Sequence, residues 1–200
     1  TSFFPQTERG LSDGAYWLAG AAGALFLFLS LLVHEAGHAL VARDEGIGVL
    51  GMELTLFGGV TRMESSPTDP GAELRVSIVG PIASAACGVV FLMGSVLIPD
   101  DGTAGLAGAV FAWAGGVNLL LAALNMIPAA PLDGGKVLSS IIWRATGSQA
   151  QALRWTAGAG VVLGLAAPGW GVRQTLAGEW SHWGLALLIV GGFVAFNAFA

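Results

Sequence analysis

Long stretches without a single charge restrict what this chain can fold into more than any motif does. Ala15–Val33, Val76–Ile98 and Ala104–Pro128 are uncharged and apolar, and Trp155–Val172 and Trp183–Ala200 are shorter, glycine-rich runs of the same kind. About 20 apolar residues in a helix cross a bilayer. Only 10% of the 200 residues are charged and 54% are hydrophobic, whereas a water-soluble domain carries roughly a quarter charged residues. Too few charges remain to coat a globule. The expected fold is therefore mainly α, a polytopic membrane helix bundle forming one core over residues 1–200. Spans are expected at about 15–42, 72–98, 104–128, 152–172 and 181–200, with a re-entrant or broken segment at 129–145.

Two departures from plain helix stand out. In Gly48–Met63, Met52 and Leu54 alternate with Glu53 and Thr55, and Gly58-Gly59 supplies a turn, so a short membrane-associated hairpin is expected at 48–63. Pro128 and Pro131 break the helix after the third span, within 125–135. Small residues in the glycine-rich spans suit close helix packing, and Trp17, Trp155, Trp170, Trp180 and Trp183 sit near span ends, where interface belts form. Arg43 and Arg62 lie in one loop and Lys136 and Arg144 in another, which places 43–71 and 129–153 on the cytoplasmic side of a cell membrane. Net charge is −5 and no basic cluster occurs, which argues against nucleic-acid binding. The single cysteine, Cys87, lies in an apolar run and reads as a helix-packing residue.

The first span runs straight into His34-Glu35-Ala36-Gly37-His38, an H-E-x-x-H. On a helix, positions i and i+4 share a face, so both imidazoles reach one zinc ion while Glu35 holds the water beside it. A catalytic zinc takes three protein ligands. His182 starts the fifth span on the opposite side and reads as an interfacial histidine. Asp133 is the better third ligand: it is the only acid between Asp101 and Glu179, and it follows the Pro128/Pro131 break with Gly134-Gly135 behind it. Irregular backbone at membrane depth survives where it is buried or lines a cavity. The competing role for Asp133 is to cap the next helix.

Four blocks, "HEAGHALVARDEGIGV", "LFGGVTRM", "VSIVGPIAS" and "NLLLAALNMIPAAPLDGGKVL", resemble in order and spacing the site-2 protease family of intramembrane zinc metalloproteases. The resemblance implies His34, His38 and Asp133 as ligands of one zinc ion, Glu35 as the catalytic glutamate, and Asn125 near the substrate backbone. It implies that substrate lies against the hairpin, where Glu53, Thr55, Phe57, Gly58 and Gly59 are the candidate contacts. An exposed strand edge can hold an unwound segment by main-chain hydrogen bonds. Implied partners are the lipid bilayer and a single-span membrane protein, such as an anti-sigma factor or other membrane-bound regulator, cut to free a cytoplasmic fragment. Ala130 and Lys136 replace a bulky apolar residue and an arginine common in the family. Family members usually carry a further N-terminal membrane segment, of which "TSFFPQ" looks like the end, and many prokaryotic relatives carry a C-terminal pair of cystathionine-β-synthase-type domains; both are expected to be missing here.

Three other readings compete. A metal transporter needs polar residues strung through several spans, and Ser77, Ser84, Ser95 and Asn118 are few. An inactive scaffold sits poorly with an intact Glu35. A membrane zinc protease with a glutamate ligand needs a downstream Glu, and Glu179 falls in a loop on the wrong side.

Overall fold

A computed structural model of the chain describes residue 4 and residues 10–55 and 58–176. Their element order is α1 (Asp13–Asp44), β1 (Val49–Thr55), β2 (Gly58–Met63), α2 (Pro70–Leu97), α3 (Gly102–Asn125), α4 (Asp133–Thr146) and α5 (Gln149–Leu176). Helices α1, α2 and α3 are long and apolar enough to cross a membrane. The expected fourth span falls on α5, and the expected fifth, with His182, lies outside the described residues. Helix α3 ends at Asn125, at the start of the 125–135 stretch where a break is expected.

The chain divides into two compact units. One comprises the described residues up to Ser65 together with Val79–Leu124. In it, α1 begins at Ser12, whose hydroxyl accepts from the Ala15 N–H, and carries Asp13 in its first turn and Arg43 in its last, each charge opposing the helix dipole. Its buried residues include Ala19, Gly23, Ser30, His34, His38 and Ala42, which recur every three to four positions or a multiple of that and so form one stripe. The large apolar residues Trp17, Leu18, Leu25, Phe28, Leu29, Val33 and Leu40 are exposed. Small residues inside and bulky ones outside is the arrangement lipid favours, since outward side chains lose nothing there and inward backbones can approach closely.

Close approach is visible where α2 crosses α3. A Cβ on Gly88 would stand 2.9 Å from the Leu119 side chain and 3.1 Å from the Gly115 carbonyl oxygen; one on Gly115 would stand 2.7 Å from Leu92 and 3.0 Å from the Gly88 oxygen. Phe26 of α1, Phe91 of α2 and Phe111 of α3 meet with ring centroids 5.1 to 5.8 Å apart, and Trp113 packs over Gly23. Several polar side chains in these helices bond within their own turn: Ser30 donates to Phe26 O, Ser95 to Leu92 O and Asn118 to Ala114 O, which suits hydrocarbon.

Gly46, at φ +76°, turns the chain out of α1 into the hairpin. Strands β1 and β2 pair antiparallel with Met52 opposite Thr61, Glu53 opposite Val60 and Leu54 opposite Gly59, and with an irregularity between Val49 and Gly51. The expected hairpin is present within a residue of its expected limits, its tip at 56–57 lying outside the described residues.

The other unit comprises Ser66–Ile78 and the described residues from Asn125 onward. Asp69 accepts from the N–H groups of Gly71 and Ala72 at 2.8 and 3.0 Å and so caps α2, with Pro70 at the first helical position. Residues 126–132 fold back over the start of α4, with Leu132 N–H bonded to Ala129 O and Gly135 N–H to Leu132 O. Gly134 and Gly135 are required there by proximity, because a Cβ on Gly135 would lie 2.7 Å from the Ala129 carbonyl carbon and one on Gly134 would strike the Met126–Ile127 backbone. Gly147, in the left-handed conformation at φ +70°, ends α4, and Ser148 accepts from Gln151 N–H to start α5.

The α2–α3 crossing yields a direct test. Gly115→Ala should destabilise the detergent-solubilised chain by about 1–3 kcal/mol through overpacking, read as an earlier thermal transition. Gly116→Ala, where a Cβ meets nothing within 4 Å, should leave it unchanged.

Candidate metal centre

The buried stripe of α1 carries two histidines one turn apart. His34 and His38 are 4% and 6% exposed, and their Nε2 atoms face each other at 3.1 Å. Two nitrogens on one tetrahedral zinc, each about 2.05 Å from it, stand roughly 3.3 Å apart, so the pair is already spaced as ligands of one ion. The rings are held edge to face with centroids 4.8 Å apart. His34 Nδ1 is hydrogen-bonded to Ser84 Oγ of α2 at 2.9 Å, both groups buried. With its Nδ1–H donated to that hydroxyl, the ring presents an Nε2 lone pair to its neighbour, the form that binds a metal.

Space in front of the pair is kept by Gly80 of α2. A Cβ there would stand 2.6 Å from His34 Nε2 and would overlap His38 Nε2. The site is thus a cradle that one methyl group would fill, lined by two imidazole nitrogens. That shape and that donor set fit a divalent metal with affinity for nitrogen.

Glu35 lies beside the pair on α1, 3% exposed. Its Oε2 accepts from Thr61 Oγ1 of β2 at 2.8 Å, and Gly59, also on β2, abuts the carboxylate so closely that a Cβ would overlap it. Asp133 is 8% exposed and is the first residue of α4; Leu132 occupies the cap position and makes no side-chain cap bond. Asp133 offers a carboxylate of the kind that completes a two-histidine zinc site.

The remaining candidates are placed as follows. Asn125 is half-buried and ends α3. Glu53 pairs with Arg62 across the hairpin at 2.7 Å, both side chains well exposed, a contact worth little in stability. Thr55 ends β1, and Gly58 and Gly59 open β2; Phe57 lies outside the described residues. Gly80, Ser84 and Thr61 acquire roles that motif reading did not assign. They stand in the quoted blocks "VSIVGPIAS" and "LFGGVTRM", but only their positions against His34, His38 and Glu35 show what they do.

Because the cradle depends on a missing side chain, Gly80→Ala should cost the chain most of its bound metal, and Ser84→Ala should weaken zinc affinity ~10- to 100-fold. Zinc content and competition with a chelator check both.

The profile of peptidase family M50 matches residues 22–104 and 101–167. Rip3 of Mycobacterium tuberculosis, which bears a zinc-metalloprotease name, is 36% identical over 193 residues, covering 96% of this chain and 49% of Rip3. The sll0528 protein of Synechocystis, similarly named, is 41% identical over 147 residues, covering 73% of this chain and 37% of that protein. The chain thus spans about half the length of the first relative and less of the second. Among solved structures, the site-2 protease of Methanocaldococcus jannaschii superposes with a TM-score of 0.67 at 29% identity, covering 88% of this chain and 74% of that one. With the profile matched across most of its length and an H-E-x-x-H on a buried helix face, this chain belongs to peptidase family M50, the family of the site-2 proteases.

Proposed function

We propose that this chain is the catalytic core of an intramembrane zinc protease that cuts single-span membrane proteins within or beside their transmembrane segments. The observation that carries this is the His34–His38 pair, with Glu35 beside it, buried on a helix apolar enough to cross a membrane. Relatives named as zinc metalloproteases support the same reading. His34, His38 and Asp133 would hold the ion. Zinc, when bound, supplies the Lewis acidity that makes water nucleophilic near neutral pH and polarises a carbonyl.

The chain's own groups do the rest. Glu35 takes a proton from the attacking water and delivers it to the leaving amine. The Asn125 amide donates to the substrate carbonyl in this reading. A helical substrate hides its peptide bonds in internal hydrogen bonds and must be unwound. The outer edge of β1, around Glu53 and Thr55, offers main-chain partners to the extended form, with Phe57, Gly58 and Gly59 as further candidate contacts.

The 20 residues Gly14–Val33 span about 30 Å of hydrocarbon, which sets His34 near the end of α1 that leads to Arg43. With Arg62, Lys136 and Arg144 on the same side by the charge rule, the site faces the cytoplasm and cleavage frees a cytoplasmic fragment. A membrane-anchored regulator such as an anti-sigma factor fits that outcome. Transport is disfavoured by the bonding of the other polar groups, since Ser77, Ser95 and Asn118 each donate to a carbonyl of their own helix.

The detergent-purified parent should hold about one zinc per chain and cleave a single-span test substrate. Glu35→Gln should keep the zinc and lose activity ~100- to 10,000-fold. Asp133→Ala should lose both; full zinc in that variant would remove the third ligand and the proposal with it. Cysteines placed in the 43–71 loop of otherwise cysteine-free chain should react with an impermeant thiol reagent only from the cytoplasmic side.

A further inference from the structure

The hairpin reaches past any role in receiving substrate, because it also grips the glutamate. Glu35 sits on α1 one residue after His34, and its side chain is buried. Among the described residues, the hydrogen-bond donor to its carboxylate is Thr61 Oγ1, 2.8 Å from Oε2. That hydroxyl also lies 3.1 Å from the Glu35 carbonyl oxygen. Gly59 forms the other wall, with a Cβ there excluded by Glu35 Cγ, Cδ and Oε1. Residues two apart on a strand face the same side, so the bare backbone of Gly59 and the hydroxyl of Thr61 present one surface to the carboxylate. Strand β2 is paired to β1 by Thr61 opposite Met52 and Gly59 opposite Leu54, which fixes that surface in place.

A glutamate has three rotatable side-chain bonds and, once buried, loses much rotamer freedom. A base must nevertheless stand within hydrogen-bond reach of the proton it takes. We infer that Thr61 is a positioning residue: its hydroxyl fixes Oε2 of Glu35 so that the other oxygen is free to take the proton of the attacking water. The inference rests on Glu35 acting as the general base of the proposed protease. It adds that the strand pair offered to the substrate and the orientation of the base belong to one rigid element.

Thr61→Val keeps the shape of the side chain and removes the donor, while Thr61→Ser keeps the donor. The expected result is a kcat lowered ~10- to 100-fold in Thr61→Val with KM and zinc content at the parental level, and recovery to within about threefold in Thr61→Ser. A Thr61→Val chain with parental kcat overturns the inference, as does a Thr61→Ser chain impaired equally, since then the methyl group and not the hydroxyl is what matters. Should Thr61→Val lose zinc or fail to fold, Thr61→Ser alone decides, because it must behave as the parent. Thermal unfolding of Thr61→Val, Glu35→Ala and the double variant reads the contact without any substrate. Non-additive transition shifts are expected, and strictly additive ones overturn the inference. If the parent itself cleaves nothing, the protease reading fails on that result while the unfolding cycle still judges the Thr61–Glu35 contact.

Discussion

The four-residue repeat of α1 is the constraint on which the rest depends. It places His34 and His38 on the same stripe as Ala19, Gly23, Ser30 and Ala42, so the face that packs against other helices is also the face that presents metal ligands. A helix cannot turn one without turning the other. The small residues draw the neighbouring backbones close, and closeness is what lets Gly80 and Ser84 of α2 stand directly over the two imidazoles. Packing and ligation are one geometric requirement met by one periodicity.

The second requirement comes from the medium. Hydrocarbon leaves no water to satisfy a stray donor or acceptor, and the polar groups of the described helices divide accordingly. Ser30, Ser77, Ser95 and Asn118 return to carbonyls of their own helices. His34 and Glu35 instead reach to other elements, Ser84 on α2 and Thr61 on β2. Polar residues that bond outside their own helix are the costly ones to maintain, and His34 and Glu35, which carry the proposed chemistry, are among them.

Much of this was legible in the sequence because it is written in local periods. Charge-free runs located α1, α2 and α3; the i, i+4 spacing located the histidine pair; the alternation from Met52 and the Gly58-Gly59 pair located the hairpin. Asp133 was legible as an isolated acid after a proline break. What stayed hidden is what depends on distance across the fold. Gly80 looks like any other of the 31 glycines until a Cβ is built toward two imidazoles. Thr61 looks like an ordinary strand residue until its hydroxyl is seen on Glu35. The helix break was legible within 125–135 from its prolines, while hydropathy did not give the residue at which it begins, because the apolar run continues through residues that form a turn.

The strand alternation around Glu35 carries a consequence for how such a chain tolerates insertions and deletions. Gly59 and Thr61 face the carboxylate because β2 is held to β1 in a single register. Sliding β2 by one residue would present Val60 in place of a glycine, putting a branched side chain where Gly59 leaves none. Length changes confined to the hairpin tip leave that alternation intact, whereas a single residue gained or lost between Gly59 and Thr61 inverts it. Selection should therefore let the tip drift in length across related sequences while keeping the short stretch behind it free of gaps.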